Sequence, residues 1–120
     1  MPQSPAVTFK RGDVVLVLYP NSNLRTAKTR PVLVIQRDDL QSGLSQMIVC
    51  MITSREFRSN HPSRFSVKIG TPEGQQSGLL TDSIVMADNI ATVATSEIDR
   101  AIGTLPMADV DSALRHTLAL

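Results

Sequence analysis

The sequence predicts a mainly β fold: a small antiparallel barrel with helical additions. Three observations carry this. Apolar runs of four to six residues, rich in β-branched side chains, recur between turn residues. One segment, Phe65-Ser66-Val67-Lys68-Ile69, alternates apolar and polar. Only the C-terminal stretch carries a long stripe at helical spacing.

The elements follow in order. Val14-Val15-Leu16-Val17-Leu18 begins after Gly12-Asp13 and stops at Pro20-Asn21-Ser22-Asn23. Val32-Leu33-Val34-Ile35 follows Pro31, and Met47 through Ile52 stops at Thr53-Ser54. These three read as central strands buried on both faces, since a helix so short is marginal in water. Phe65–Ile69 reads as a half-exposed strand, and Gly70 through Gly78 as a loop. Ser83–Ala87 and Ile90–Val93 read as two strands about a turn at Asp88-Asn89. Ser96-Glu97-Ile98-Asp99 has the form of a capping box and Gly103 that of a stop, which predicts a short helix. Val110, Ala113, Leu114, Thr117 and Leu118 predict an amphipathic terminal helix starting near Pro106. Residues 1–9 read as a loose arm and residues 10–120 as one domain, as suits a chain of 120 residues.

Composition excludes several classes. The apolar runs are too short to span a membrane, and the N-terminus lacks the pattern of a signal peptide. A single cysteine, Cys50, forms no internal disulfide, so the cytoplasm is the default compartment. Cys50 and the distant His61 and His116 make no metal-ligand motif, and no Gly-rich phosphate loop is present; no cofactor is expected. With aromatics at 3 %, a sheet that stacks RNA bases on rings is not expected.

The net charge of +1 hides a division. Residues 1–70 carry ten Lys and Arg against four acids, a balance of +6, whereas residues 71–120 stand at −5. A basic half of this kind attracts nucleic acid or an acidic protein segment, unless folding interleaves the two sets. The segment Pro20–Thr29 joins two apolar strands with hardly any apolar content of its own, and Arg25, Lys28 and Arg30 lie on it or at its end. Arg30, held extended by Pro31, suits a phosphate at a strand mouth, or else bonds a loop carbonyl. Thr53 and Ser54 end a buried strand, where two hydroxyls serve a phosphate or the local backbone. Arg55-x-x-Arg58 continues the basic character. Asp88 is a candidate general base, an orienter of an arginine, or a turn residue. A two-histidine ribonuclease pair of His61 and His116 requires the fold to bring them together.

Gly12-Asp13-Val14-Val15-Leu16-Val17, Thr29-Arg30-Pro31-Val32-Leu33-Val34-Ile35 and Ile52-Thr53-Ser54 stand here in a telling order. Ser77-Gly78-Leu79, Asp82-Ser83-Ile84-Val85, Asp88–Val93 and Ile102-Gly103 complete it. The ordered set resembles the MazF/PemK toxin family over roughly residues 11–115. The resemblance implies an SH3-like β-barrel with a terminal helix, usually a homodimer. It implies a metal-independent endoribonuclease that cuts single-stranded RNA by attack of a 2′-hydroxyl, leaving a 2′,3′-cyclic phosphate and a 5′-hydroxyl. Its partner would be an antitoxin whose acidic, flexible tail covers the RNA groove.

On this resemblance Arg30, Thr53 and Asp88 are the catalytic residues, and Arg25, Lys28, Thr29, Ser54, Arg55 and Arg58 bind RNA. Two departures stand out. Arg25 occupies a place where many members carry Glu, and Met86 one where some carry Arg two residues before the acid. They leave open a non-catalytic barrel of the same family that binds RNA or protein. A gyrase-poisoning toxin on the same barrel is a further alternative.

Overall fold

The computed structural model describes residues 8–20 and 27–120. Six strands make the body: β1 (Asp13–Pro20), β2 (Ala27–Val34), β3 (Gln46–Thr53), β4 (Arg64–Val67), β5 (Ser83–Ala94) and β6 (Ile98–Thr104). Helix α1 (Pro72–Ser77) lies between β4 and β5, and α2 (Ala108–Leu118) closes the chain. The strands form one antiparallel sheet in the order β4-β5-β3-β2-β1-β6. Its edge strands β4 and β6 are not bonded to each other, so the expected barrel is open rather than closed.

The three apolar runs are central strands, and each faces two cores. Alternation sends Val14, Leu33, Cys50 and Ile52 to one side, where they meet Val110, Ala113 and Leu114 of α2. It sends Val15, Val17, Val32, Val34 and Val49 to the other, with Val93 and Ile98. Phe9 packs against this second core, while residues 1–7 of the expected arm lie outside the described residues. Full burial of each such aliphatic side chain stabilises by about 1.5–3 kcal/mol, so the runs hold the sheet together.

Four local expectations are corrected. The capping-box segment is not a helix: Thr95–Glu97 is a 3-10 turn and Ile98–Thr104 is β6, paired with β1. Seven residues gain little as an isolated helix, but here they pair with β1 and place Ile98 in the second core. The short helix is instead α1, inside the expected loop. Thr71 Oγ1 caps it by accepting from the Gly74 N–H at 3.1 Å, and Gly78 ends it at φ +74°.

The segments around Asp88-Asn89 form one strand, β5, instead of two about a turn. Cys50 faces Ile90 while its neighbour Met51 faces Met86, so Ala87, Asp88 and Asn89 bulge out of the ladder. Finally, Arg30 lies inside β2 and not at its mouth. The β1–β2 pairing runs past the apolar core through Arg30, Thr29 and Lys28 to Ala27, opposite Pro20.

Candidate active site

Strands β2 and β3 pair antiparallel, with Val34 opposite Val49, Leu33 opposite Cys50 and Val32 opposite Met51. The hydrogen-bonded ladder stops there. Two residues further along, the same register sets Arg30 across from Thr53. Alternation puts Arg30 on the face of Val32 and Val34, and Thr53 on the face of Val49. Both therefore lie at the rim of the second core, where the two strands part. Arg30 is exposed and Thr53 is half-buried.

Each has capacity to spare. Among the described residues the Arg30 guanidinium has no carboxylate partner. Thr53 Oγ1 accepts from the Arg55 backbone N–H at 3.2 Å, which ends the strand. That bond uses a lone pair and leaves the hydroxyl hydrogen to donate. The two roles weighed for Thr53, local capping and ligand binding, are therefore compatible. Lys28, Thr29, Ser54 and Arg55 flank the pair and are exposed; Arg25 lies outside the described residues.

The fold also sorts the charge division. Arg11 pairs with Asp111 at 2.6 Å, Arg64 with Asp88 at 2.8 Å and Lys68 with Asp82 at 3.7 Å. Bases of the N-terminal half are thus partly neutralised by acids of the C-terminal half. Among the described residues Lys28, Arg30, Arg55 and Arg58 have no such partner. Interleaving and a basic surface are both real: among the described residues Lys10, Arg37 and Arg115 are left without a carboxylate as well, but Lys28, Arg30 and Arg55 gather at the Arg30–Thr53 rim.

The model of the PemK-like, MazF-like toxins of type II toxin–antitoxin systems matches residues 10–118. The chain belongs to this family. Endoribonuclease MazF2 of Mycobacterium bovis is 34 % identical over 107 residues, which cover 86 % of this chain and 90 % of the relative. Endoribonuclease MazF6 of Mycobacterium tuberculosis matches with the same figures. A solved mycobacterial endoribonuclease, in complex with its cognate antitoxin, shares the fold at a TM-score of 0.72. It is 20 % identical, over 94 % of this chain and 97 % of that one.

Asp88, on the β5 bulge, lies two strands from Arg30, or about 9–10 Å between strand axes. Arg64 holds it: Nη2 donates to Oδ2 at 2.8 Å, and Nε reaches Oδ1 at 3.5 Å. This bond keeps the Asp88 carboxyl below the usual carboxylate range, against an opposing push from burial. Arg64 Nη1 also donates to the Arg58 carbonyl at 3.0 Å. Sequence reasoning missed Arg64, counting it only as one base among ten. The signal was register: Arg64 stands opposite Met86, where some PemK-like members carry their arginine. Here an arginine reaches the acid from the neighbouring strand.

The fold does bring His61 and His116 together, with ring centroids 6.0 Å apart and edge to face. His61 Nδ1 already accepts from the Ser63 N–H at 3.0 Å. Beside it Thr117 Oγ1 donates to Ser63 Oγ at 2.7 Å, so this cluster ties α2 to the approach to β4. Cys50 is buried, and burial pushes its thiol up to about 12, far from a reactive thiolate. No helix among the described residues is long and apolar enough to cross a membrane.

Proposed function

We propose that this MazF-like toxin is an endoribonuclease that cuts single-stranded RNA at the Arg30–Thr53 rim. The observation that supports the reading is that an arginine with no carboxylate partner among the described residues stands across from a threonine hydroxyl, on one face, where β2 and β3 part. The reaction is attack of a ribose 2′-hydroxyl on the adjacent phosphate. A 2′,3′-cyclic phosphate forms as the bond to the 5′-oxygen breaks; the 2′-hydroxyl gives its proton to solvent, and the departing oxygen takes one from solvent to become a 5′-hydroxyl. Negative charge grows on the non-bridging oxygens in the transition state. Arg30 offers a planar fork, charged at every working pH, for those oxygens. The Thr53 hydroxyl donates a further hydrogen bond. Preorganised donors of this kind typically contribute about 10²–10³ each in rate.

Asp88 serves in this reading as the residue that orients Arg64. A carboxylate held ionised by an arginine is a weak base, and a second cation aimed by it suits a neighbouring phosphate. Lys28, Thr29, Ser54, Arg55 and Arg58, with Arg25, bind the RNA backbone. The chain acts on cytoplasmic mRNA as a homodimer, and its antitoxin competes through an acidic segment for the same cations. The test is to map RNA 5′ ends after brief expression, and to repeat the mapping with purified protein. New 5′-hydroxyl ends at a shared short sequence are expected. Intact RNA during growth arrest would point to the gyrase-poisoning or the non-catalytic alternative.

A further inference from the structure

Phe57 is 78 % exposed, although a phenylalanine of its size normally joins a core. It sits on a single 3-10 turn, Glu56–Arg58, between β3 and β4. Neither hydrophobic core includes it. Its ring is not left loose. The Arg58 guanidinium lies 5.6 Å from the ring centroid, and Arg58 Nη1 donates to Met86 Sδ at 3.7 Å. The Arg58 carbonyl in turn accepts from Arg64 at 3.0 Å. An exposed aromatic face is thus held beside a cation, and that cation is moored to β5. Met86 pairs with Met51 on β3, two residues before Thr53.

Phe57 follows Thr53 by four residues, so at most about 14 Å of extended chain separates them. The intervening loop carries Ser54 and Arg55, both exposed. We propose that Phe57 is a stacking platform for an unpaired RNA base next to the scissile phosphate, with Arg58 as its cationic partner. The proposal rests on the ribonuclease reading and deepens it: this ring helps to choose and hold the nucleotide, while Arg30 and Thr53 do the chemistry. The surroundings favour RNA as the occupant. An apolar partner segment would strip water from Arg55 and Arg58, which among the described residues have no carboxylate to offset that cost. A nucleotide offers a π-face to the ring and a phosphate to those cations. The sparse aromatics of the sequence argue against a stacking sheet, but one ring on a basic loop needs no sheet.

The chain contains no tryptophan, so Phe57→Trp installs a single indole fluorophore at the platform. The probe is a mixed-sequence pool of single-stranded RNA, 2′-O-methylated throughout so that it lacks the nucleophile. Quenching of the indole emission on titration is expected, since a stacked base lies against the indole. Phe57→Ala is expected to weaken RNA binding about 5- to 150-fold, the equivalent of roughly 1–3 kcal/mol for one stacked base. It should also blur the cleavage motif, with the unfolding midpoint unchanged. Parent-like binding and motif in Phe57→Ala would overturn the proposal and leave the Arg30–Thr53 site standing. Quenching by an acidic peptide but not by RNA would overturn it too. Quenching by RNA in a protein that cuts none would keep the platform and remove the ribonuclease reading.

Discussion

Arg64 holds Asp88 across the β4–β5 pair, with Nη2 2.8 Å from Oδ2. Position 86, opposite Arg64, is a methionine. The guanidinium that reaches the acid comes from the neighbouring strand. Its hydrogen bond holds the Asp88 carboxyl low and favours the ionised form.

This pair sets a pH dependence of stability. The Asp88 carboxyl lies lower in the folded chain than in the unfolded one. Its contribution is therefore present above the unfolded value, about 3.9, and is lost as pH falls through the folded value. Asp88→Asn should lower the urea midpoint near neutral pH and lose that difference at about pH 2. Arg64→Ala should raise the Asp88 titration toward the ordinary range, followed by carboxyl NMR shifts. An unmoved titration would contradict the pairing.

Helix α1 lies so close on β6 that a Cβ at Gly103 would stand 2.3 Å from the Gln76 carbonyl oxygen and 2.4 Å from the Ser77 carbonyl carbon. Backbone atoms cannot yield as a flexible side chain does. Gly103→Ala should cost about 1–3 kcal/mol in urea unfolding. A parent-like midpoint would place α1 elsewhere.

Much of the fold was legible in the sequence because burial wrote it there. The runs at Val14, Val32 and Met47 are apolar on both faces since two cores need them. Strand β6 was not legible. Ser96-x-x-Asp99 is a local helix signal, and the partner that overrides it, β1, lies some eighty residues earlier. The bulge at Asp88 was hidden for a similar reason: Asp-Asn is common turn chemistry, and only pairing with Cys50 and Met51 shows that the strand continues. Of the proposed site, Arg30 and Thr53 were singled out by their order along the chain. Arg64 and Phe57 were not, since their roles depend on cross-strand register and on exposure.

The cations without carboxylate partners predict a steep salt response. Each phosphate contact to single-stranded RNA contributes a slope of about −0.7 to log K against log salt. Lys28, Arg30, Arg55 and Arg58 together set a slope of roughly −2 to −3. Arg55→Ala should flatten it by about 0.7, while Arg11→Ala, which removes a base paired with Asp111, should leave it unchanged. Filter binding from low to high salt measures both. A flat response in the parent would mean that the charge division serves no polyanion.

His61 and His116 meet edge to face, and His61 Nδ1 already accepts from the Ser63 N–H. His116→Ala should cost about 0.5–1.5 kcal/mol of stability and leave cleavage near the parent rate. A loss of a hundredfold in rate at unchanged stability would transfer the chemistry to the histidine pair.

In the proposed reaction Arg30 and Thr53 act together as one catalytic rim. Its most direct measurement is the single-turnover cleavage rate of a single-stranded RNA by the parent, Arg30→Ala and Thr53→Ala, each checked for an unchanged unfolding midpoint. Both variants should fall by about 10²–10³. Cleavage at the parent rate by either one, with the fold intact, would contradict the claim.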